Sequence, residues 1–294
     1  MDTKELLKKV QRIQIKASHM VNDVLAGEYS SVFKGRGMEF DEVRLYVPGD
    51  EVRTIDWNVT ARTGAPHVKR FVEERELTVL LIADLSPSGR FGTSTQMKVD
   101  VAAEICALLA FSAIKNNDKV GLILFTDKVE KFVPPKKGKK HVLRVIRELL
   151  QHDPVGRQTD IGSALEYLLR VQKRRAVVFL LSDFLVNLED FEKPLKLANR
   201  RHDLVTLSIS DPREVSLPSL GLLELEDAET GEVMLVDSKS VSVRTDYENV
   251  GREKKNQRQQ LFKRVDVDQV EIDTDQPYLD AIVRYFKKRE QRLR

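Results

Sequence analysis

At 294 residues with 41% hydrophobic side chains, the chain is long enough to bury one large core or two modest ones, and its composition argues against a disordered polymer. Basic and acidic side chains nearly cancel to a formal charge of +3, far from the excess carried by a dedicated nucleic-acid binder. The single cysteine, Cys106, excludes an intrachain disulfide, points to a reducing compartment, and reads as a small core side chain within AAEICALLAF.

The opening stretch, MDTKELLKKVQRIQIK, predicts an amphipathic helix that is charged throughout and lacks the apolar centre of a signal peptide. No later run approaches the roughly 20 apolar residues of a spanning helix, so a cytoplasmic protein without direct membrane insertion is expected. Next comes GRGMEFDEVRLYVPGDEVRTIDWNVTARTGAPHVKRF, predicted as short strands and tight turns. Its Asp41, Glu42, Asp50, Glu51 and Asp56 interleave with Arg36, Arg44, Arg53 and Arg62. The expectation is a structural network of Arg36, Arg44, Asp50, Arg53, Asp56, Trp57 and Arg62, in an extension over residues 1–76 docked on the main domain.

Residues 77–210 form the predicted main domain. LTVLLIAD, KVGLILF, AVVFLLSD and DLVTLSIS are apolar nearly end to end, as in strands covered by helices on both faces, and helical patterns fall between them at about Met97–Lys115, His141–Gln151, Ile161–Gln172 and Leu188–Arg200. This is the signature of βαβ units in an α/β fold with a mostly parallel, Rossmann-like sheet. VEKFV predicts an edge strand ended by Pro134 and Pro135. Residues 211–294 are predicted to complete or flank the same domain: a hairpin in GLLELEDAETGEVMLVD, helices over Val241–Arg264 and Tyr278–Arg292, and a strand in VDQVEID between them.

The chemistry concentrates at the end of the first strand. Asp84, Ser86 and Ser88 follow one another at alternate positions where an open α/β sheet turns its chain into the ligand crevice. One carboxylate and two hydroxyls suit a hard divalent cation, Mg²⁺ or Mn²⁺, which prefers oxygen ligands and retains water. A cation held by so few anions keeps net positive charge and can accept a carboxylate from another protein. Thr159 is placed to add a third hydroxyl and Asp183, at the end of AVVFLLSD, to act through water; Asp160 and Phe184 are expected beside the metal.

The spaced DxSxS, TDIGSAL and the strand-terminal aspartate resemble the metal-ion-dependent adhesion site (MIDAS) of von Willebrand factor A domains over Leu77–Ile209. With GRGMEFDEVRLYVPGDEVRTIDWNVTAR, FGTSTQMKVDVAAEICALLA and NDKVGLILF, nearly the whole chain resembles the bacterial family called domain of unknown function fifty-eight, whose members are encoded beside MoxR-type AAA+ ATPases. The resemblance implies a von Willebrand factor A-like fold and a non-enzymatic, chaperone-like adaptor. Its partners would be such an ATPase, other von Willebrand factor A-like proteins, or an acidic residue of a client. Two departures stand out: Gly89 follows the second serine where many such sites carry another small residue or Met, and Phe184 replaces a glycine, where it is expected to crowd the site and weaken metal affinity.

Two other classes compete. A metal-dependent hydrolase would draw on Asp84, Asp160 and Asp183, but a general base is hard to find beyond Asp160. A nucleic-acid binder would use the basic loop of Lys136, Lys137, Lys139 and Lys140, for which a solvated turn is the commoner outcome. No phosphate loop, HExxH, CxxC pair or GxSxG elbow occurs in the sequence.

Overall fold

The computed structural model describes residues 3–21, 29, 32–33, 37–74, 76–93 and 96–293, and the side chains of these apart from 3–7, 37–41, 71–74 and 293. They divide into two compact units, Met1–Val32 with Thr78–Arg294, and Phe33–Leu77. The helix α1 (Thr3–Met20) falls in the larger unit, whereas the sequence pattern joins it to the strand-turn segment that follows. The physical reason is its apolar stripe of Val10, Ile13 and Ala17, which is buried within that unit.

In the smaller unit β1 (Gly37–Leu45) pairs antiparallel with β2 (His67–Glu74), with a bulge between Phe40 and Glu42. Between them lies α2 (Trp57–Thr63), a helix where strands and turns were expected. Asp56 caps it by accepting the amides of Asn58 and Val59, and Gly64 ends it in the left-handed conformation at φ 74°. Of the expected network, Arg44 grips Asp50 with two bonds of 2.8 and 2.6 Å, and Asp56 pairs instead with Lys69 at 3.3 Å. Arg53, Arg62 and Trp57 are exposed and take no part in this pairing among the described residues, and Arg36 lies outside those residues.

The larger unit is built on β3 (Thr78–Asp84), α3 (Lys98–Lys115), β4 (Lys119–Phe125), β5 (Val129–Lys136), α4 (Lys139–Gln151), α5 (Ile161–Val171), β6 (Val177–Ser182), α6 (Leu188–Arg201) and β7 (Asp203–Ser210). After them come the hairpin β8 (Leu222–Glu226) and β9 (Val233–Asp237), then α7 (Val241–Val265), β10 (Asp268–Asp273) and α8 (Tyr278–Leu293). The central sheet has the order β10-β7-β6-β3-β4-β5, parallel throughout except for the edge strand β5. Both faces are covered, which is why its strands are apolar without alternation. Leu80 and Ile82 of β3 meet a core that includes Leu165, Phe191, Leu195 and Phe262 from α5, α6 and α7. Val79, Leu81 and Ala83, facing the other way, are equally buried.

The prolines do not end β5. It runs through Pro134 and Pro135 to Lys136, because an edge strand can spare the missing donors and Gly121 of β4 leaves room for Pro135, whose Cγ would lie 2.9 Å from a Cβ there. Lys139 and Lys140 already belong to α4, so the basic loop shrinks to Lys137 and Gly138. Among the described residues, no helix is long and apolar enough to cross a membrane.

Candidate cation-binding site

Strand β3 ends at Asp84, in register with Phe125 of β4. The chain leaves the sheet through a bond from the Leu85 amide to the Phe125 carbonyl at 2.9 Å and enters a 3-10 turn, Pro87–Arg90, with Ser86 at its start. One carboxylate oxygen of Asp84 accepts the Ser86 amide at 2.9 Å, and the other accepts the Ser182 hydroxyl, at the end of β6, at 2.6 Å. The Ser86 and Ser88 hydroxyls lie 3.0 Å apart and share a hydrogen bond. Asp183, one residue past β6, takes the Leu185 amide on one oxygen and the Lys98 ammonium, at 2.6 Å, on the other.

Lys98 is the residue that the motif did not announce. It opens α3, is buried, and also donates to Glu214. Burial works against its charge, but the charges of Asp183 and Glu214 hold its pKa above the ordinary lysine value. Glu214 is itself placed by Asp211, whose amide donates to the Glu214 carboxylate at 3.1 Å and whose own buried carboxylate accepts the Thr93 amide and hydroxyl and the Arg213 amide. The Arg258 guanidinium donates to the Asp183 carbonyl at 2.9 Å and pairs with Glu271 at 3.2 Å. Asp183 and Glu214 thus share one ammonium, and among the described residues no cation pairs with Asp84. Burial, and after it the negative charge of Asp183, pushes the Asp84 pKa up to about 7, against the bonds from Ser182 and Ser86.

Asp84, Ser86, Ser88, Gly89, Lys98 and Asp183 line a cavity of about 20 Å³, roughly the space of one water-sized particle. A buried carboxylate short of positive charge, two hydroxyls with free lone pairs and room for one small particle fit a hard divalent cation. Asp84, Ser86 and Ser88 are the direct donors this set offers. Asp183, whose charge is already paired with the Lys98 ammonium, suits contact through water. Among the described residues no three His, Cys, Asp or Glu side chains group to hold a metal, so the fit depends on the hydroxyls.

Thr159 does not line this cavity. Its loop is tied to the same sheet edge by the Asp160 amide, which donates to the Thr126 carbonyl at 2.8 Å, and by Glu130, which accepts the amides of Val155 and Gly156. The Thr159 hydroxyl donates to Glu229 at 2.6 Å. Asp160 caps α5 by accepting the Ser163 amide at 2.8 Å. Phe184 does not crowd the cavity: it takes the left-handed φ of 56° that favours glycine, and its ring is buried edge-on to Phe262 at 5.1 Å and tilted against Phe191 at 6.0 Å. Gly89 is equally permissive, since a Cβ there meets nothing closer than Val99 at 3.9 Å. A cue to Lys98 was available. A lysine in the first turn of an apolar helix opposes the helix dipole and calls for acidic partners.

A mostly parallel sheet wrapped by helices on both faces, with an aspartate and two serines at the carboxyl end of a central strand, defines an α/β protein with a Rossmann-like sheet. The chain belongs to the family described as Protein of unknown function DUF58, whose model matches residues 42–257. Among its relatives, Uncharacterized protein Rv1480 of Mycobacterium tuberculosis is 30% identical over 290 residues, 98% of this chain and 91% of that protein. A shorter one, Uncharacterized protein MAV169 of Mycobacterium avium, is 28% identical over 53% of this chain and 93% of its own. Similar solved structures include an aerotolerance-related membrane protein from Bacteroides fragilis, at 17% identity, a TM-score of 0.49, and 72% and 99% coverage of this chain and that one. The VWA domain of SpRpn10 matches at 13% identity and a TM-score of 0.38 over 70% and 93%. Scores below 0.5 leave function to be argued from the site itself.

Proposed function

We propose that this chain is a cation-dependent protein-interaction adaptor of the cytoplasm, which binds Mg²⁺ or Mn²⁺ through Asp84, Ser86 and Ser88 and uses it to hold an acidic side chain of a partner. The observation that carries the reading is the Asp84 carboxylate, enclosed with two serine hydroxyls at a cavity for one small particle and short of positive charge. When bound, the cation supplies an electrophilic open position for a carboxylate. The protein's own part is to hold the donors still: Ser182 orients Asp84, the 3-10 turn orients Ser88, and Lys98 keeps Asp183 beside the cavity. With one direct anionic ligand, the bound ion retains charge to recruit a partner. In keeping with the family resemblance, the partner is a MoxR-type AAA+ ATPase or a client that such an ATPase remodels during assembly or maturation.

Two experiments test this. Titration calorimetry with Mn²⁺ compares the full chain with Asp84→Ala; binding that is lost in the variant supports the site, and equal affinity rejects it. A pull-down with the MoxR-type ATPase, with and without chelator, tests the partner, and a complex indifferent to chelation removes the cation from the interaction.

A further inference from the structure

The central sheet has two lateral edges, and they are guarded unequally. On β5 Pro134 and Pro135 interrupt the row of backbone donors, a common protection against edge pairing. The opposite edge, β10, reads DQVEID without proline, and among the described residues no strand pairs with its outer side. Its ladder with β7 is parallel, and the Thr274 amide that follows it turns inward to the Ser210 carbonyl at 3.0 Å. Backbone groups alternate along a strand, so the amides of Gln269, Glu271 and Asp273 point away from the sheet, with the carbonyls of Gln269 and Glu271 beside them. The Asp273 carbonyl is taken by the Gln276 amide.

A groove of about 560 Å³ runs along this edge between α7 and α8, lined by Val267, Val270 and Tyr285. Two of its acids already have their cations: Asp268 accepts from Tyr285, Arg289 and Arg292, and Glu271 pairs with Lys255 and Arg258. Lys263, Arg284 and Lys288 are exposed on the rim and have no acidic partner among the described residues. Asp266, also exposed there and unpaired among the described residues, offsets one of the three, and the balance stays positive. Arg284 and Lys288 stand one turn apart on α8, about 6 Å along its axis. Alternate side chains of a strand are spaced by about 6.6 Å. A strand laid in the groove with acids at alternate positions would therefore set one against each cation. The same charges oppose a second copy of this chain, since two β10 edges paired antiparallel about a twofold axis would bring Arg284 and Lys288 of one α8 beside those of the other.

We propose that the open edge of β10 is a docking site for an extended acidic segment of a partner protein, which adds to the sheet as a further strand and presents acidic side chains at alternate positions to Arg284 and Lys288. The site lies along the lateral edge of the sheet, two strands removed from β3, and does not depend on the cation cavity.

The test uses the full chain and a labelled peptide of alternating valine and glutamate, with anisotropy read in Mg²⁺ and again in EDTA. Wild type is expected to bind equally in both. Reversing the rim, Arg284→Glu with Lys288→Glu, is expected to weaken binding at least ~10-fold, and both side chains are exposed, so the fold should survive. The same peptide methylated on all its backbone nitrogens keeps its charge, loses its strand bonds, and is expected not to bind. Amide exchange is the direct readout: Gln269, Glu271 and Asp273 should slow in the complex. No binding, binding indifferent to the charge reversal, or unchanged exchange along β10 overturns the proposal. So does binding that survives methylation, a charge contact open to any polyanion, and binding lost in EDTA, which would place the peptide at the cation cavity. A dimer in sedimentation that the peptide dissociates would give the edge to a second copy and overturns it as well.

Discussion

Replacing Phe184 by glycine, the residue that the left-handed backbone favours, sets two effects against each other. The ring is 3% exposed and packs on Phe262 and Phe191. Emptying such a position costs about 3–5 kcal/mol in transfer and cavity terms. Relief of the left-handed conformation, φ 56°, returns about 1–2 kcal/mol, and the greater freedom of glycine in the unfolded chain takes back roughly 0.5–1 kcal/mol. Phe184→Gly is therefore expected to be less stable by about 3 kcal/mol, measured as a lower urea midpoint at unchanged slope. Because the ring does not line the cavity, the affinity for Mn²⁺ at a temperature where both proteins are folded should stay within about twofold. A variant as stable as wild type would refute the placement of the ring in the core, and a tenfold gain in cation affinity would show that it does crowd the site.

Lys98→Met leaves the buried Asp183 and the half-buried Glu214 without their cation, a loss of about 3–5 kcal/mol. The deficit should be smaller at pH 5 than at pH 8, since carboxylates stripped of a partner take up protons more readily when folded; a deficit independent of pH contradicts the pairing. His202 is buried with neither ring nitrogen bonded, and burial, aided by Arg201 and Arg175, lowers its pKa from 6.5 to about 4. The unfolded chain then takes up a proton that the folded one refuses, so stability held above pH 6.5 drains away as pH falls towards 4, by up to about 3 kcal/mol. His202→Leu should flatten that part of the denaturation profile, and an unchanged slope assigns it to other groups. Gly156→Ala places a methyl group on the side chains of Thr126 and Asp127, so a loss of about 1–3 kcal/mol by chemical denaturation is expected, and full tolerance would mean that the loop before Thr159 is looser than these contacts imply.

Much of the fold was legible because covered parallel strands are apolar on both faces: β3, β4, β6 and β7 follow from composition alone, with helices spaced between them. Two expectations failed, for different reasons. Pro134 and Pro135 read as a stop, yet β5 continues because a glycine on the adjacent strand makes space and the outer side of an edge strand needs no donors. Trp57–Thr63 was missed although both end signals were present, Asp56 before it and Gly64 after it, since seven residues with no apolar stripe give no period to detect.

The candidate site divides along the same line. Asp84, Ser86 and Ser88 could be read from spacing because they lie on one strand end and one turn, where backbone geometry decides which atoms meet. Lys98 lies 85 residues from Asp183 and 116 from Glu214, and Thr159 lies 70 from Glu229, so those choices are made by which elements share the carboxyl edge of the sheet. Phe184 shows how far spacing carries. The position after a strand-terminal aspartate does require a positive φ, as the expected glycine implied. The steric consequence depends instead on where Cβ points, and here α6 and α7 supply Phe191 and Phe262 to receive the ring. Backbone demands are local and can be read from one segment, while the fate of a side chain at the same residue belongs to whatever the fold packs against it.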